Sequence, residues 1–519
     1  MSRSRTIRTL LALVVAGAAS VGGTGIAAAQ TATSPRVPLC PEPVVLTARG
    51  SGSQFSGRRQ YPGAAGPSTG WEGTAISRLL ERADLHGFSV RALGPEEYPA
   101  VEAWRLGELV GSVEQGRRSA VRRVADLQAG GCQPVVIPVG YSQGAMVFNG
   151  AERALSDAAH LPGVLYLGNP LRDGRPPRNT GSAPPVPGRA VPPVWPWETA
   201  RSLNAPGQEG IDYCYRNDVF CDPAGTSVEA HLSYFTGIPG EDAADRAVAD
   251  TLSAWTAGAR ARLDGGERVA VTRPVDEILL IDTAEPVEPA VLAELARGIP
   301  RIMDAVTGAN PGSRVGVAVV RDGVNRWLLP PTRDAAAVAA TLTDPAGRPV
   351  GDVIADPEPD GASTRNMITV AGTEVRVGRE TVGRAAAGTA DAVLTVVSDH
   401  ATAPNAVLDA PGIWLAGQPA GVTGMLSRVF ADGPVHQRLD FGDGTVVDSA
   451  GGNYVEHVWR NPGTYLLTLT VTDSRGRTGV DRRWVRVYSG DVAAELDAAL
   501  RAMPARSGST GVEVWGSTG

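Results

Sequence analysis

Two short stretches of the chain match G-x-S-x-G, a pattern that can place a nucleophilic serine on a sharp turn between a strand and a helix. They are GPSTG, residues 66–70, and GYSQG, residues 140–144. Such a serine needs a buried strand before it and a helix after it, with the helix N-terminus directed at the developing negative charge. Only GYSQG has both, because PVVIPV precedes it and AMVFNGAERAL follows it, whereas GPSTG follows YPGAA and contains a proline. Ser142 is therefore the predicted nucleophile, and GPSTG is predicted to be a loop.

A serine hydroxyl is a weak nucleophile and needs a histidine base that a carboxylate holds in place. In this arrangement the chain order is serine, acid, histidine. Of the six histidines, His86 precedes the serine and His160 follows it too closely to leave room for an acid-bearing loop. Both are predicted to be surface or packing residues, which leaves His231 as the base. The preceding loop, IDYCYRNDVFCDP, offers Asp218 as the acid and Asp222 as the neighbouring alternative.

The four cysteines, Cys40, Cys132, Cys214 and Cys221, all lie in the first half of the chain. Four cysteines allow three pairings. Their clustering predicts one disulfide-stapled domain, and the lack of a C-x-x-C pair argues against zinc. A bridge from Cys214 to Cys221 would close a small loop around Asp218, and Cys40 with Cys132 would tie the start of the domain to the segment before the PVVIPV strand. Each bridge would contribute about 2 to 5 kcal/mol, mainly by restricting the unfolded chain.

Four motifs of the first half occur in the order expected of one family. They are ARGS at residues 48–51, GYSQG at 140–144, C-x-x-x-D-V-x-C at 214–221 and AHLSY at 230–234. Together they resemble the cutinase family of serine esterases over about residues 40–262. The resemblance implies a cutinase-like α/β-hydrolase fold, an ester substrate and no cofactor.

The same resemblance implies a role for individual residues. Ser142 is the expected nucleophile, Asp218 the acid and His231 the base. The expected oxyanion hole consists of the Gln143 backbone N–H and Ser51, which lies in the loop after the first strand. Such donors stabilise the charge that develops on the carbonyl oxygen in the transition state.

A later stretch departs from the small cutinases. GNPLRDG, residues 168–174, and the proline-rich insert at 175–197 are closer to the related mycolyl-ester and PE-PPE-type serine hydrolases. Trp195 and Trp197 in the insert could form an apolar platform or lid over an acyl chain. The alternative is a solvated loop with one packed tryptophan. The substrate could therefore be a lipid, a polyester or an envelope ester.

The overall composition excludes several other classes of function. The formal charge is −7, so the chain offers no basic stripe for nucleic acid. All 48 basic residues are arginines. Without lysine, a Walker A phosphate loop and Schiff-base chemistry are excluded.

The N-terminal 29 residues have the pattern of a secretory signal. Three arginines precede an apolar stretch, which ends in small residues before a predicted cut after Ala29. An uncleaved membrane anchor is the alternative. No later segment has the length and hydropathy of a membrane span. The predicted location is extracellular, either free or associated with the cell envelope.

The remaining patterns predict three folded domains and a tail. Residues 30–263, which include the proline-rich insert at 172–200, alternate strands and helices and predict an α/β sheet that is mostly parallel. A second α/β pattern covers 268–403, a small antiparallel sandwich covers 407–488, and a flexible tail covers 489–519.

The second domain resembles a von Willebrand factor A domain through ILLIDTAEP and VLTVVSDHA. That family binds a divalent metal through D-x-S-x-S, but here Ala284 and Pro286 replace both serines after Asp282. The oxygen ligands that a hard cation needs are missing, with Asp399 as a lone further partner. A packing scaffold or protein-contact surface is predicted, without a metal.

The third domain resembles a PKD domain, an immunoglobulin-like sandwich, through DFGDGT and HVWRNPGTYLLTLTVTD. Such domains act as spacers or as surfaces for protein or carbohydrate contact. His436 and His457 are predicted to be sheet residues rather than ligands. A non-catalytic surface or adhesion protein with a decayed hydrolase domain is the alternative to an esterase.

Overall fold

The computed structural model describes residues 36–489 except 103–105, 173–177, 185–207, 322, 346–347, 355–363, 378–379, 385–387, 432–434 and 450–453. The predicted signal sequence, most of the proline-rich insert with Trp195 and Trp197, and nearly all of the predicted tail lie outside the described residues. Within the described part of the chain, the helices are all too short or too polar to span a membrane.

The first region alternates strands and helices as its sequence pattern predicts. Its elements are β1 (Arg36–Pro38), β2 (Val44–Ala48), α1 (Thr74–Leu80), β3 (Ser89–Ala92), α2 (Leu106–Gln128), β4 (Val136–Tyr141), α3 (Gln143–Ala158), β5 (Val164–Leu167), β6 (Asn179–Thr180), β7 (Gly210–Tyr213), α4 (Val228–Leu232), α5 (Asp242–Asp264) and β8 (Arg268–Ala270).

Six of these strands form one parallel sheet in the order β3-β2-β4-β5-β7-β6. Alternate residues of the central strands enter two different cores, Val45 and Ile137 on one face and Val44 and Val136 on the other. Burial on both faces explains why β2 and β4 are apolar throughout most of their length. The predicted parallel α/β sheet is confirmed.

Both predicted disulfides are formed. Cys40 is bonded to Cys132, with 5.0 Å between their Cα atoms, and Cys214 is bonded to Cys221, with 5.9 Å. The first bond joins the segment before β2 to the segment before β4. The second closes the short loop that contains Asp218.

The middle region contains a second sheet of six strands. Its elements are β9 (Val275–Ile281), α6 (Pro289–Ala309), β10 (Arg314–Arg321), β11 (Val324–Thr332), α7 (Ala335–Thr343), β12 (Thr364–Ala371), β13 (Glu374–Val377), β14 (Glu380–Arg384) and α8 (Thr389–Thr402). The strand order is β11-β10-β9-β12-β13-β14, and only β10, β9 and β12 run parallel to one another. The stretch ADAVLTVVSDH, which contributes to the von Willebrand A-like resemblance, lies in helix α8.

The C-terminal region is a β-sandwich, as predicted. Its strands are β15 (Ile413–Leu415), β16 (Ala420–Val422), β17 (His436–Asp440), β18 (Val446–Ser449), β19 (Val455–His457), β20 (Gly463–Thr472) and β21 (Thr478–Tyr488). A five-stranded sheet, β15-β21-β20-β17-β18, accompanies the pair β16-β19. His436 and His457 both lie in strands, and His457 stacks on Phe441 with 4.0 Å between ring centroids.

This sandwich packs directly on helix α2 of the first region. Val407 and Leu426 belong to the same buried cluster as Val121 and Val124 of α2. Beside this apolar contact, the Arg117 guanidinium of α2 donates to Asp409 and, at 2.9 Å, to the Gly421 carbonyl oxygen. The sandwich and the first region therefore share one continuous hydrophobic core.

Three charged groups of this contact are almost completely buried. Arg117 is 2% exposed, Glu114 is 5% and Asp409 is 0%. Arg117 Nε and Nη2 reach the two carboxylate oxygens of Glu114 at 2.7 and 2.8 Å. Burial disfavours the charged guanidinium, but Asp409 and Glu114 outweigh it and raise the pKa of Arg117 well above its ordinary value. Each charge in this cluster therefore depends on the others.

We expect Arg117→Met to destabilise the protein by about 3 to 5 kcal/mol, because it leaves the buried Asp409 carboxylate without its guanidinium partner and leaves Glu114 paired with Arg118 alone. Arg123→Ala on the same helix is the matched control. Arg123 is half exposed and pairs with Glu97 at the surface, so its loss should cost about 0.2 to 1 kcal/mol. Urea denaturation of both variants measures the difference. Equal shifts of the unfolding midpoint would contradict the structural role of Arg117.

Candidate functional site

Ser142 is the single residue between β4 and α3. Its backbone has φ 54° and ψ −119°, a conformation that costs a non-glycine residue about 1 to 3 kcal/mol. Its N–H donates to the Leu167 carbonyl oxygen of the neighbouring strand at 2.9 Å. This is the strained strand-to-helix geometry that is expected of a nucleophile elbow.

Gly144 allows the start of α3 to approach the end of β2. A Cβ atom at this position would lie 1.9 Å from the Ala48 carbonyl oxygen, far inside van der Waals contact. The second glycine of GYSQG is therefore required by backbone packing. This packing brings the loop after β2 against the turn that carries Ser142.

His231 lies on the short helix α4 and contacts a buried carboxylate. Its Nδ1 is 2.9 Å from Asp218 Oδ2 and 3.0 Å from Oδ1. The Asp218 carboxylate also accepts hydrogen bonds from Tyr234 Oη at 2.7 Å and from the Phe220 N–H at 2.8 Å. Asp218 is 0% exposed and His231 is 4% exposed. The carboxylate thus holds the Nδ1 side of the ring in place, which directs Nε2 away from Asp218.

Two further contacts place this imidazole beside the turn of Ser142. The Tyr141 ring, at the end of β4, stacks on His231 with 4.9 Å between centroids, and its hydroxyl donates to the His231 carbonyl oxygen at 2.7 Å. A Cβ atom on Gly168 would lie only 2.7 Å from His231 Cε1. Gly168 directly follows Leu167, which accepts the Ser142 N–H. The imidazole therefore packs at the end of β5, next to the strand end that leads to Ser142.

The structure brings Asp218, rather than Asp222, to the histidine. Asp222 accepts from the Asn217 N–H at 2.7 Å and from the Ala224 N–H at 3.1 Å. These bonds fix the turn that follows Asp218. Asp222 therefore uses both carboxylate oxygens within its own loop, and Asp218 is the carboxylate in contact with His231.

The loop after β2 places Ser51 next to Gln143. Gln143 Nε2 donates to Ser51 Oγ at 3.2 Å. Gln143 is the first residue of α3, so its backbone N–H has no acceptor within the helix. The buried Arg49 supports this loop by donating to the carbonyl oxygens of Leu93 and Tyr98 at 2.8 and 2.9 Å. The residues named for an oxyanion hole therefore lie together at the start of the helix.

Sequence reasoning did not single out three residues that support the site. They are Arg49, Tyr141 and Tyr234. Each lies within one of the sequence motifs ARGS, GYSQG and AHLSY, but its role depends on contacts with residues far away in the chain. Burial and the Asp218 carboxylate raise the pKa of Tyr234 well above its ordinary value. The Tyr234 hydroxyl donates to Asp218.

The other candidate residues lie away from this site. His86 contacts Asp84 and Thr256. His160 contacts Arg262, and burial with this cation lowers the pKa of His160 to about 4. Neither histidine shares a contact with Ser142 among the described residues.

Asp282 and His400, the neighbour of Asp399, lie near opposite ends of β9, and the absence of a metal site at Asp282 stays a prediction. Asp282 directly follows β9, whereas His400, next to Asp399, contacts Glu277 near the start of that strand at 3.0 Å. Glu277 and Asp282 are five residue steps apart along the chain, about 16 Å in extended strand geometry. In the part of the chain that is described, one group has metal-ligand proximity, Cys214, Asp218 and Cys221, and both of its cysteines are in a disulfide.

Two family models match the chain. Residues 39–250 match the model described as Cutinase, and residues 401–487 match the model described as PKD domain. The cutinase match supports a carboxylic ester hydrolase in general terms. Neither match covers the middle region, so the von Willebrand A-like resemblance stays a prediction. No curated protein matches the chain.

Several solved structures are similar over part of the chain. A structure of carbohydrate-binding modules from the β-sandwich superfamily is 26% identical over 17% of this chain, with a TM-score of 0.16, and only 35% of its own length is covered. A cutinase-like protein from Cryptococcus sp. is 20% identical, with a TM-score of 0.30, and the match covers 43% of this chain and 96% of that protein. The catalytic core domain of acetyl xylan esterase from Trichoderma reesei is 18% identical, with a TM-score of 0.28, and the match covers 42% and 98%.

We expect Gly168→Ala to move the His231 imidazole by about an ångström, because the added Cβ occupies the space of Cε1. Gly266→Ala is the matched control. It adds the same methyl group at a similar φ, 65° against 53°, where no atom lies within 4 Å. Crystal structures of both variants measure the displacement of the ring from Asp218. An undisturbed imidazole in the Gly168 variant would contradict the close packing described here.

Proposed function

We propose that residues 40–262 form a serine carboxylester hydrolase of the cutinase type. Ser142 is the nucleophile, His231 the base and Asp218 the acid that orients it. The observation that carries the proposal is the buried Asp218–His231 pair, with 2.9 Å between Oδ2 and Nδ1, beside a serine in strained backbone geometry. The cutinase family match over residues 39–250 supports the same reaction class.

The reaction proceeds in two halves through an acyl-enzyme. Ser142 Oγ attacks the ester carbonyl carbon while His231 Nε2 takes the hydroxyl proton. The tetrahedral intermediate collapses, and the imidazolium gives the proton to the departing alcohol. Water then attacks the acyl-enzyme with the same proton transfers in turn, and the carboxylic acid leaves. Asp218 stabilises the imidazolium in both halves, and the reaction requires no cofactor.

The negative charge of each tetrahedral intermediate falls on the former carbonyl oxygen. The Gln143 backbone N–H and the Ser51 hydroxyl are the proposed donors to this oxygen. The two residues are joined by the 3.2 Å hydrogen bond from Gln143 Nε2 to Ser51 Oγ. A donor that is already in place needs no reorganisation as charge develops, and losing one such donor typically costs about 10²- to 10³-fold in rate.

The surface beside the site suggests an apolar substrate. Val228 and Leu232, on the helix that carries His231, are 54% and 38% exposed, and Phe55, in the loop after β2, is 52% exposed. Exposed apolar side chains are suited to contact with an acyl chain or an aggregated ester. We therefore propose a lipid, polyester or envelope ester as substrate, encountered outside the cell after export. The sandwich contributes a surface for protein or carbohydrate contact.

Ser142→Ala should lower kcat for p-nitrophenyl esters by about 10⁴- to 10⁶-fold, because the acyl-enzyme can no longer form. The matched control is Ser156→Ala near the other end of α3, whose hydroxyl donates to the Arg153 carbonyl oxygen of its own helix. A series of acyl-chain lengths should show a preference for the longer chains. A folded wild type that hydrolyses no ester would instead favour the non-catalytic adhesion protein.

Asp218→Asn and Asp222→Asn separate the two acids. Asp218→Asn should lower kcat by about 10⁴-fold, since the amide favours the wrong imidazole tautomer. Asp222→Asn loses only bonds within the loop and should retain activity within about tenfold, the effect of weakening one or two hydrogen bonds. Steady-state kinetics with one ester measures both. The reverse order of losses would identify Asp222 as the acid.

A further inference from the structure

The Gln143 side chain joins three separate parts of the site. Its Nε2 donates to the Val101 carbonyl oxygen at 3.0 Å and to Ser51 Oγ at 3.2 Å. Its Oε1 accepts from Ser112 Oγ of helix α2 at 3.0 Å. Gln143 is 1% exposed and Ser112 is 3% exposed, so water cannot readily replace these partners.

These contacts fix which way the amide group points. Val101 offers a carbonyl oxygen, which can only accept, so the NH₂ end of the amide must face it. The same NH₂ group uses its second hydrogen on Ser51. The oxygen end then faces Ser112, whose hydroxyl donates to it and also lies 3.4 Å from the Val101 N–H as an acceptor. Ser112 thus stabilises one of the two possible orientations of the amide.

The orientation of the amide controls the hydroxyl of Ser51. When Ser51 Oγ accepts a hydrogen bond from Gln143, its own proton must point elsewhere. In the reverse orientation, Ser51 would donate its proton to Gln143 Oε1. The proton could then not be donated to a substrate oxygen. The observed arrangement keeps the Ser51 O–H free to donate to a substrate oxygen.

We propose that Ser112 is a positioning residue for the oxyanion hole, acting through the Gln143 amide on the Ser51 hydroxyl. The inference rests on the proposed function and adds to it a residue from helix α2. Ser112 does not touch the reacting atoms. Its effect is to keep the Ser51 proton available in the transition state, so it acts on kcat rather than on substrate binding.

The helix that carries Ser112 is the one on which the C-terminal sandwich packs. Arg117, five residues further along α2, contacts Asp409 and Gly421 of the sandwich. Val110, two residues before Ser112, packs against the core of the sandwich. The sandwich therefore helps to hold Ser112, whose hydroxyl donates to Gln143, in place.

A double-mutant cycle with Ser51 tests the proposal in the full-length protein. Ser112→Ala should lower kcat for a p-nitrophenyl ester by about 3- to 10-fold, the worth of one net hydrogen bond, with KM within twofold. In a Ser51→Ala background the same substitution should cause no further loss, because the hydroxyl that it orients is already absent. Ser112→Thr, which retains the hydroxyl, should restore most of the rate.

Two further variants provide a control on the same helix and a second probe of the same hydrogen bonds. Ser119→Ala removes another buried hydroxyl of α2, 7% exposed and two turns further along, and should leave kcat unchanged. Gln143→Met retains the backbone N–H and the length of the side chain but removes the amide. It should lose at least as much rate as Ser112→Ala, again only when Ser51 is present. This variant reports on the same chain of bonds if Ser112→Ala is poorly folded.

The outcomes separate the inference from the function on which it rests. If the wild type is active and depends on Ser142, but Ser112→Ala loses the same factor in both Ser51 backgrounds, the positioning role is overturned and the esterase assignment stands. Full activity of Ser112→Ala also overturns it. A wild type that hydrolyses no ester overturns both.

Discussion

The burial of one carboxylate organises the proposed site. Asp218 is 0% exposed, and a buried charge is stable only when hydrogen-bond donors replace its water. His231, Tyr234 and the Phe220 N–H supply those donors, and the Cys214–Cys221 bond closes the loop that brings them together. The requirement to satisfy this group therefore determines where the imidazole can lie. Tyr141 and Gly168 complete its position by packing against the ring.

A second buried set of charges joins the sandwich to the hydrolase-like region. Arg117 lies between Glu114 and Asp409, and Arg428 of the sandwich donates to the Cys132 carbonyl oxygen at 2.9 Å. The sequence interpretation treated the PKD-like domain as a spacer or contact surface. The structure adds a structural role, because the sandwich covers helix α2. That helix also carries Ser112, so the sandwich and the proposed oxyanion hole share one supporting element.

Much of the fold and of the candidate site could be predicted because the signals are local. The strand before Ser142, the glycines around it and the helix after it are contiguous, and each reflects a backbone requirement of the turn. The middle region was harder to predict. The apolar stretch VLTVV fits a buried strand or a buried helix equally well by periodicity, and in the structure it forms α8 on the sheet.

By itself, the sequence determined which residue types were available for chemistry: one serine on an elbow, one histidine in the right order, two acids and four cysteines in one region. It left open which acid meets the histidine. Only the tertiary structure decided that Asp222 is used by its own loop, that Gly168 and Tyr141 place the imidazole, and that Ser112 reaches Gln143. The physical reason is that these contacts join residues far apart in the chain. Local periodicity and turn chemistry encode strands and helices, but the pairing of distant side chains follows from how the completed elements pack.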